Sequence, residues 1–187
     1  DGVNVNNPDR LRAIAALKQT DPDLKVMLSV GGWGAGNFSE MAASADNRRK
    51  FAEDCLRIVE EFNLDGIDID WEYPGSSAAG ISSSPADRDN FTLLIKQLRD
   101  TLGKKRLVTI ATAAGAQHID YKGVVPYLDF VNIMTYDMAD APKHHAALFP
   151  SENTPDMTCD VSVKAHIAAG VPVDKLVMGV PFYGRGG

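Results

Sequence analysis

The densest chemistry in this 187-residue chain lies in Asp65-Gly-Ile-Asp-Ile-Asp-Trp-Glu-Tyr-Pro74. Side chains alternate between faces along a strand, so Asp68, Asp70 and Glu72 share one face and Ile67, Ile69 and Trp71 the other. Neighbouring carboxylates on such a face stand about 6.6 Å apart at their backbones, close enough for their charges to interact. Three full charges in a row inside a folded protein repel one another. At least one group is therefore expected to keep a proton near neutral pH, with its pKa raised. A carboxylic acid held protonated near neutrality is what a general acid requires.

Two plainer readings compete. One is a solvated acidic strand face, which like-charge crowding on a sheet makes costly. The other is a hard-cation site, since Asp-x-Asp-x-Glu offers oxygen ligands. A calcium loop would need glycine where Tyr73 stands, which leaves magnesium as the alternative; no metal or other cofactor is expected. Gly31-Gly-Trp-Gly-Ala-Gly36 is glycine-rich, but its spacing is wrong for a phosphate cradle and it leads into Asn-Phe-Ser rather than a helix.

The elements that must position these groups alternate between apolar runs and helical periods. Asn7-Pro8 opens a helix to about Lys18, and Lys25–Val30 reads as a strand ending at Gly31-Gly32. Asp46–Glu61 is an amphipathic helix and Leu64–Trp71 the acidic strand. Ser84-Pro-Ala-Asp87 starts a helix reaching about Leu102. Strands follow at Leu107–Ala113, Phe130–Thr135 and Lys175–Val180, with a helix capped by Asp160 and ending at Gly170 before the last. Such alternation predicts an α/β fold of parallel βαβ units, either a doubly wound sheet or a (β/α)8 barrel. Polar groups at the C-terminal ends of several strands favour the barrel.

Composition narrows the function classes. The net charge of −6, with no basic run, argues against a nucleic-acid partner. No stretch approaches the apolar length of a membrane span. Cys55, inside a helix, and Cys159, in a loop before one, form neither a disulfide framework nor a metal set. Asn37-Phe-Ser39 and Asn90-Phe-Thr92 match the glycosylation sequon. The chain starts at Asp1 without a signal-like segment, which reads as a processed or excised piece.

The acidic strand resembles the signature of glycoside hydrolase family 18. Leu28-Ser-Val-Gly-Gly-Trp33 resembles that family's third-strand motif, Ile133-Met-Thr-Tyr-Asp137 its sixth and Met178-Gly-Val-Pro-Phe-Tyr-Gly-Arg185 its seventh. The resemblance implies that Glu72 protonates the leaving oxygen of a β-1,4-linked N-acetylglucosamine polymer such as chitin or its oligosaccharides. It implies that Asp70 holds the acetamido N–H while the acetamido oxygen attacks the anomeric carbon, the substrate-assisted exception to two-carboxylate catalysis. Asp68 would share a proton with Asp70, and Ser29 would bind that pair. Tyr136 would donate to the acetamido oxygen, Met134 would line its pocket, and Asp137 would contact the same sugar. On that strand alone, an ordinary core Met and a half-buried Tyr are the favoured explanation of the pair. Trp33 would stack on a leaving-side sugar or pack internally, and Arg185 would lie near the cleft.

Against the family's eight strands, only the third to the seventh are recognisable. The chain is thus expected to form a partial (β/α)8 TIM barrel of about five parallel strands over residues 1–187. That is a single catalytic-domain piece lacking the first two strands and the last, with open edges suited to self-association and with weak or no turnover alone. The resemblance implies a secreted protein. An endo-N-acetylglucosaminidase acting on glycoprotein glycans and a lectin-like chitin binder are the competing functions.

Overall fold

The computed structural model describes residues 2–154 and 156–186; Asp1, Pro155 and Gly187 lie outside the described residues. Helix α1 (Pro8–Ala16) starts where the sequence places it: Asn7 Oδ1 accepts from Arg10 N at 3.0 Å and Pro8 fills the first turn. A 3-10 turn, Leu17–Gln19, prolongs it. Strand β1 is Met27–Gly31. A short helix, α2 (Phe38–Ala43), then follows the glycine run, contrary to the expectation that no helix begins there. Six residues are too few to show helical periodicity; burial of Phe38 and Ala42 holds this segment in place.

Ser44 caps α3 (Ala45–Glu61), whose Ala52, Cys55, Ile58 and Val59 form one buried stripe. Strand β2 is Gly66–Asp70, shorter at both ends than the apolar run suggested, so Glu72 stands beyond the strand end. Helix α4 (Asp87–Leu102) starts three residues after Ser84, and Gly103 ends it at φ 80°. Strand β3 is Leu107–Ala113, helix α5 is Tyr121–Val124 and β4 is Phe130–Met134. Helix α6 (Cys159–Ala169) is capped by Thr158, which accepts from Val161 N, and not by Asp160 as expected. Cys159 accordingly opens this helix rather than preceding it. Strand β5 is Leu176–Met178.

The five strands form one parallel sheet in chain order, with helices in the crossovers. This is the expected open arc of an α/β barrel. Ile67, Ile69, Val108, Ile110, Val131 and Ile133 are buried on the helix side, each worth roughly 1.5–3 kcal/mol of apolar burial. Asp68, Thr109 and Asn132 take the alternate positions on the other face.

The starts of the strands are tied by a repeated device. Asp65 Oδ2 accepts from Val26 N at 2.7 Å and faces Lys18 Nζ at 3.3 Å. Asp129 Oδ2 accepts from Val108 N at 2.8 Å and from Arg99 Nη2 at 2.6 Å. Asp65, although within the acidic signature, therefore serves the opposite end of β2 from the ladder. Among the described residues, strands β1 and β5 each pair on one side only, and Val177, Met178 and Val180 near β5 are exposed.

Candidate active site

The carboxylate ladder is built from β2 and its neighbours. Asp68 is saturated with donors: Ser29 Oγ reaches Oδ2 at 2.8 Å, and Thr109 Oγ1 and Asn132 Nδ2 reach Oδ1 at 2.6 and 3.1 Å. These come from β1, β3 and β4, so four strands converge on one carboxylate. Ser29 and Thr109 occupy the positions in register with Asp68 on either side.

Asp70 has a different environment. Its Oδ1 is buried without a hydrogen-bond partner among the described residues. Burial, then the charges of Glu72 and Asp68, push its pKa from 3.8 up to about 7, and a hydrogen bond with Glu72 adds to the rise. Asp70 is thus influenced more by Glu72 than by Asp68, whose oxygens accept from Ser29, Thr109 and Asn132. Burial also raises Glu72, opposed by bonds from Tyr73 and Asp70 and assisted by the charge of Asp137. The crowding anticipated from the sequence does yield raised carboxyls, with the larger rise on Asp70. Asp70 and Glu72 thus form a coupled pair in which both carboxyls resist ionisation.

Glu72 is aimed by what surrounds it. Trp71, on the opposite face, is buried and stacks on Phe38 at 5.4 Å, with Phe91 edge-on at 6.0 Å. Beyond the acid, Gly75 N and Ser84 N donate to Asp87 Oδ2 at 3.1 and 2.8 Å, while Ser39 Oγ donates to Oδ1 at 2.7 Å. A buried carboxylate at the start of α4 thus ties the acid-bearing loop to α2. Backbone room is as tight on the β1 side: a Cβ on Gly31 would lie 2.0 Å from Asp70 O.

Met134 ends β4 half-buried, and Tyr136 follows beside the acidic cluster. Burial raises the Tyr136 phenol, as do the charges of Asp70, Glu72, Asp137 and Asp68. Gly179 leaves room for it, because a Cβ there would meet Ile133 O at 2.5 Å and Tyr136 Cε1 at 2.8 Å. Asp137, at φ 55°, accepts from Arg185 Nε at 2.5 Å and is lowered chiefly by that bond. Its backbone N–H donates to His145 Nδ1 at 3.1 Å. Tyr183 stacks on His145 at 5.4 Å and stands edge-on to Tyr136 at 6.4 Å. Arg185 is thereby drawn to Asp137.

Trp33 is 64% exposed and meets Tyr73 edge-on at 6.4 Å, so internal packing does not account for it. A cavity of about 630 Å³ is lined by neither Asp70 nor Glu72. It lies along the free edge of β1 among Val3, Leu11, Leu28, Val30 and Met41. The carboxyl chemistry locates the site more securely than that groove does, because the open sheet leaves the ladder face uncovered. Among the described residues no group of three or more His, Cys, Asp or Glu is arranged to hold a metal.

Four contributors escaped the sequence reading. Thr109 and Asn132 act through strand register, which no single strand displays. Asp87 reads as a helix-start residue, and Tyr183 only as a member of the seventh-strand motif. Alternation along β3 and β4, taken with their order in the sheet, would have brought the first two to Asp68.

The family model for "Glycosyl hydrolases family 18" matches residues 2–187. Chitinase A1 of Niallia circulans is 41% identical over 91% of this chain and 28% of its own length. The chitinase domain of the spore coat protein CotE from Clostridium difficile superposes with a TM-score of 0.95 at 39% identity, over 98% of this chain and 56% of that one. A family 18 N-acetylglucosaminidase from Paenibacillus barengoltzii gives 0.91 at 39% identity, over 97% and 58%. The chain spans less than half the length of the curated relatives it matches, from 28% to 46% of the first three. With the family's model matched along nearly all its length and the acidic ladder standing on a parallel α/β arc, this chain belongs to glycosyl hydrolase family 18.

Proposed function

We propose that this chain carries the acid and the acetamido-binding groups of a retaining hydrolase of β-1,4-linked N-acetylglucosamine polymers. The carrying observation is Asp70: a partly buried carboxyl with one buried oxygen unpartnered and its pKa raised to about 7 beside Glu72. A buried oxygen without a partner is suited to a donor brought by a ligand, and an acetamido N–H is such a donor. What supports the substrate class is the naming of the relatives as chitinases and, in one case, as an N-acetylglucosaminidase.

In the first step Glu72 gives its proton to the glycosidic oxygen as the bond to the anomeric carbon breaks. The substrate's acetamido oxygen forms a bond to that carbon, and Asp70 accepts the acetamido N–H as the oxazolinium charge develops. Water then attacks the same carbon, the Glu72 carboxylate takes its proton, and the oxazolinium ring opens with retention. Asp68 is fixed beside Asp70 by Ser29, Thr109 and Asn132. Tyr136 donates to the acetamido oxygen beside Met134, Asp137 meets the same sugar with Arg185 behind it, and exposed Trp33 offers an apolar face to a pyranose.

Two edge strands with one neighbour each support the further reading that this is a single piece of a barrel, closed by additional strands or by a second copy. No described helix is long and apolar enough to cross a membrane. A polymeric substrate of this class favours action outside the cell.

The test is chromophore release from an N-acetylchitobioside by the chain and by Glu72→Gln. The chain is expected to release it, slowly while its barrel is open, and Glu72→Gln to lower the rate by about 10²–10⁴-fold while still binding the oligosaccharide. Binding by both proteins with cleavage by neither would replace the hydrolase with a chitin-binding protein. Release of glycoprotein glycans without cleavage of chitin oligomers would move the substrate.

A further inference from the structure

The segment that carries Glu72 is gripped by a residue the mechanism above does not use. His118 lies in the loop between β3 and α5, at φ 74°, a left-handed conformation rare for a residue with a side chain. Its ring lies parallel to that of Tyr73, 6° from coplanar, with centroids 4.9 Å apart. The same ring is within hydrogen-bonding reach of the Pro74 carbonyl. Its own loop is held in turn, since Ile119 is buried and Arg88 Nη2 reaches the Ile119 carbonyl at 3.4 Å. Trp33 also meets Tyr73 edge-on. The Tyr73 hydroxyl, finally, faces the Glu72 carboxyl and acts to lower its pKa.

We propose that His118 is a positioning residue for Glu72: its ring, stacked on Tyr73, holds the Tyr73 hydroxyl against the carboxyl that must deliver the proton. The inference rests on reading Glu72 as the acid. Two contacts from one ring fix two successive residues directly after Glu72, which is how a side chain in a separate loop can set the direction of a group it does not touch. Burial lowers the imidazole pKa, so near neutral pH the ring stacks uncharged and adds no cation beside the carboxyl pair. The Tyr73 bond lowers Glu72 against the upward pull of burial. Loss of the stack therefore has a definite sign: the carboxyl is left with one donor fewer, and its midpoint moves further up.

The test compares the unmodified chain with His118→Asn and His118→Phe. Asn accepts the left-handed backbone and removes the ring, whereas Phe keeps a ring but cannot bond to Pro74. Carboxyl ¹³C titration of Glu72 and hydrolysis of a chromogenic N-acetylchitobioside are measured on each. In His118→Asn the Glu72 midpoint is expected to rise, and kcat to fall about tenfold to a hundredfold with KM little changed. His118→Phe is expected to stay close to the unmodified chain in both. An unchanged Glu72 midpoint in His118→Asn, or a His118→Phe as impaired as His118→Asn, overturns the proposal. An unmodified chain that does not cleave the substrate overturns the hydrolase reading alone, because the titration still decides the role of His118.

Discussion

Thr109 donates its hydroxyl to Asp68 Oδ1 at 2.6 Å from the β3 position directly in register with it, while Ser29 does the same to Oδ2 from β1. With Asn132 the arrangement satisfies Asp68 from three strands and leaves its neighbour Asp70 to turn toward Glu72. One carboxylate is held in place from three strands while the next two stand against each other with raised pKa values. The sheet register, rather than any loop, performs this division.

Replacing Thr109 by the near-isosteric Val tests that division. A hydrogen bond to a charged group contributes about 1.5–3 kcal/mol, so Thr109→Val is expected to lower stability by about that amount. Urea unfolding at pH 7 gives the number. A loss well under 1 kcal/mol would mean that Ser29 and Asn132 hold Asp68 without it.

Much of this was legible from the chain, and the reason lies in period. Alternation of two along Ile67-Asp-Ile-Asp-Trp-Glu72 separates the buried apolar face from the acidic one without reference to any other strand. Asn7-Pro8 announces its helix by chemistry confined to four residues. What escaped depends on relations between distant segments. Asn132 meets Asp68 across 64 positions, and His118 meets Tyr73 only because a left-handed loop delivers it. The short helix Phe38–Ala43 lacked a window long enough for periodicity, and Asp160 resembled a cap that Thr158 supplies two residues earlier.

His166 supplies a prediction away from the site. It is fully buried, with Nδ1 donating to the Ser162 carbonyl at 2.8 Å and Nε2 accepting from Thr112 Oγ1 at 2.8 Å; the Tyr121 hydroxyl lies 3.4 Å from the same nitrogen. Burial lowers its pKa below the usual 6.5, so the unfolded chain binds this proton more readily than the folded one. Its contribution to stability is complete above pH 6.5 and is lost as pH falls from there through the folded value. His166→Gln, destabilised at pH 7.5 by about 1–3 kcal/mol through the disturbed network, is expected to close the gap to the unmodified chain at pH 5. Melting temperatures of the two proteins at both pH values check this, and a gap that stays constant rules out the titration of His166 as its cause.

Asp70 predicts the opposite sign, which is why each effect must be read as a difference between variants. Its folded pKa of about 7 lies above the ordinary 3.8, so ionisation favours the unfolded chain. The destabilisation is absent below pH 3.8, grows as pH rises toward 7, and is constant above. At roughly 1.4 kcal/mol per pH unit it amounts to a few kcal/mol at pH 8. Asp70→Asn keeps the shape and removes the charge, and its amide can still donate to Glu72. The variant is therefore expected to be more stable than the unmodified chain by roughly 2–4 kcal/mol at pH 8 and nearly equal to it at pH 4. It should also lose chromophore release, because an amide cannot take up the charge developing on the acetamido group. Chemical unfolding at the two pH values, beside the activity assay, measures both effects. Equal stability at pH 8 would mean that Asp70 ionises without cost, and its strained place between Asp68 and Glu72 would then have no energetic content.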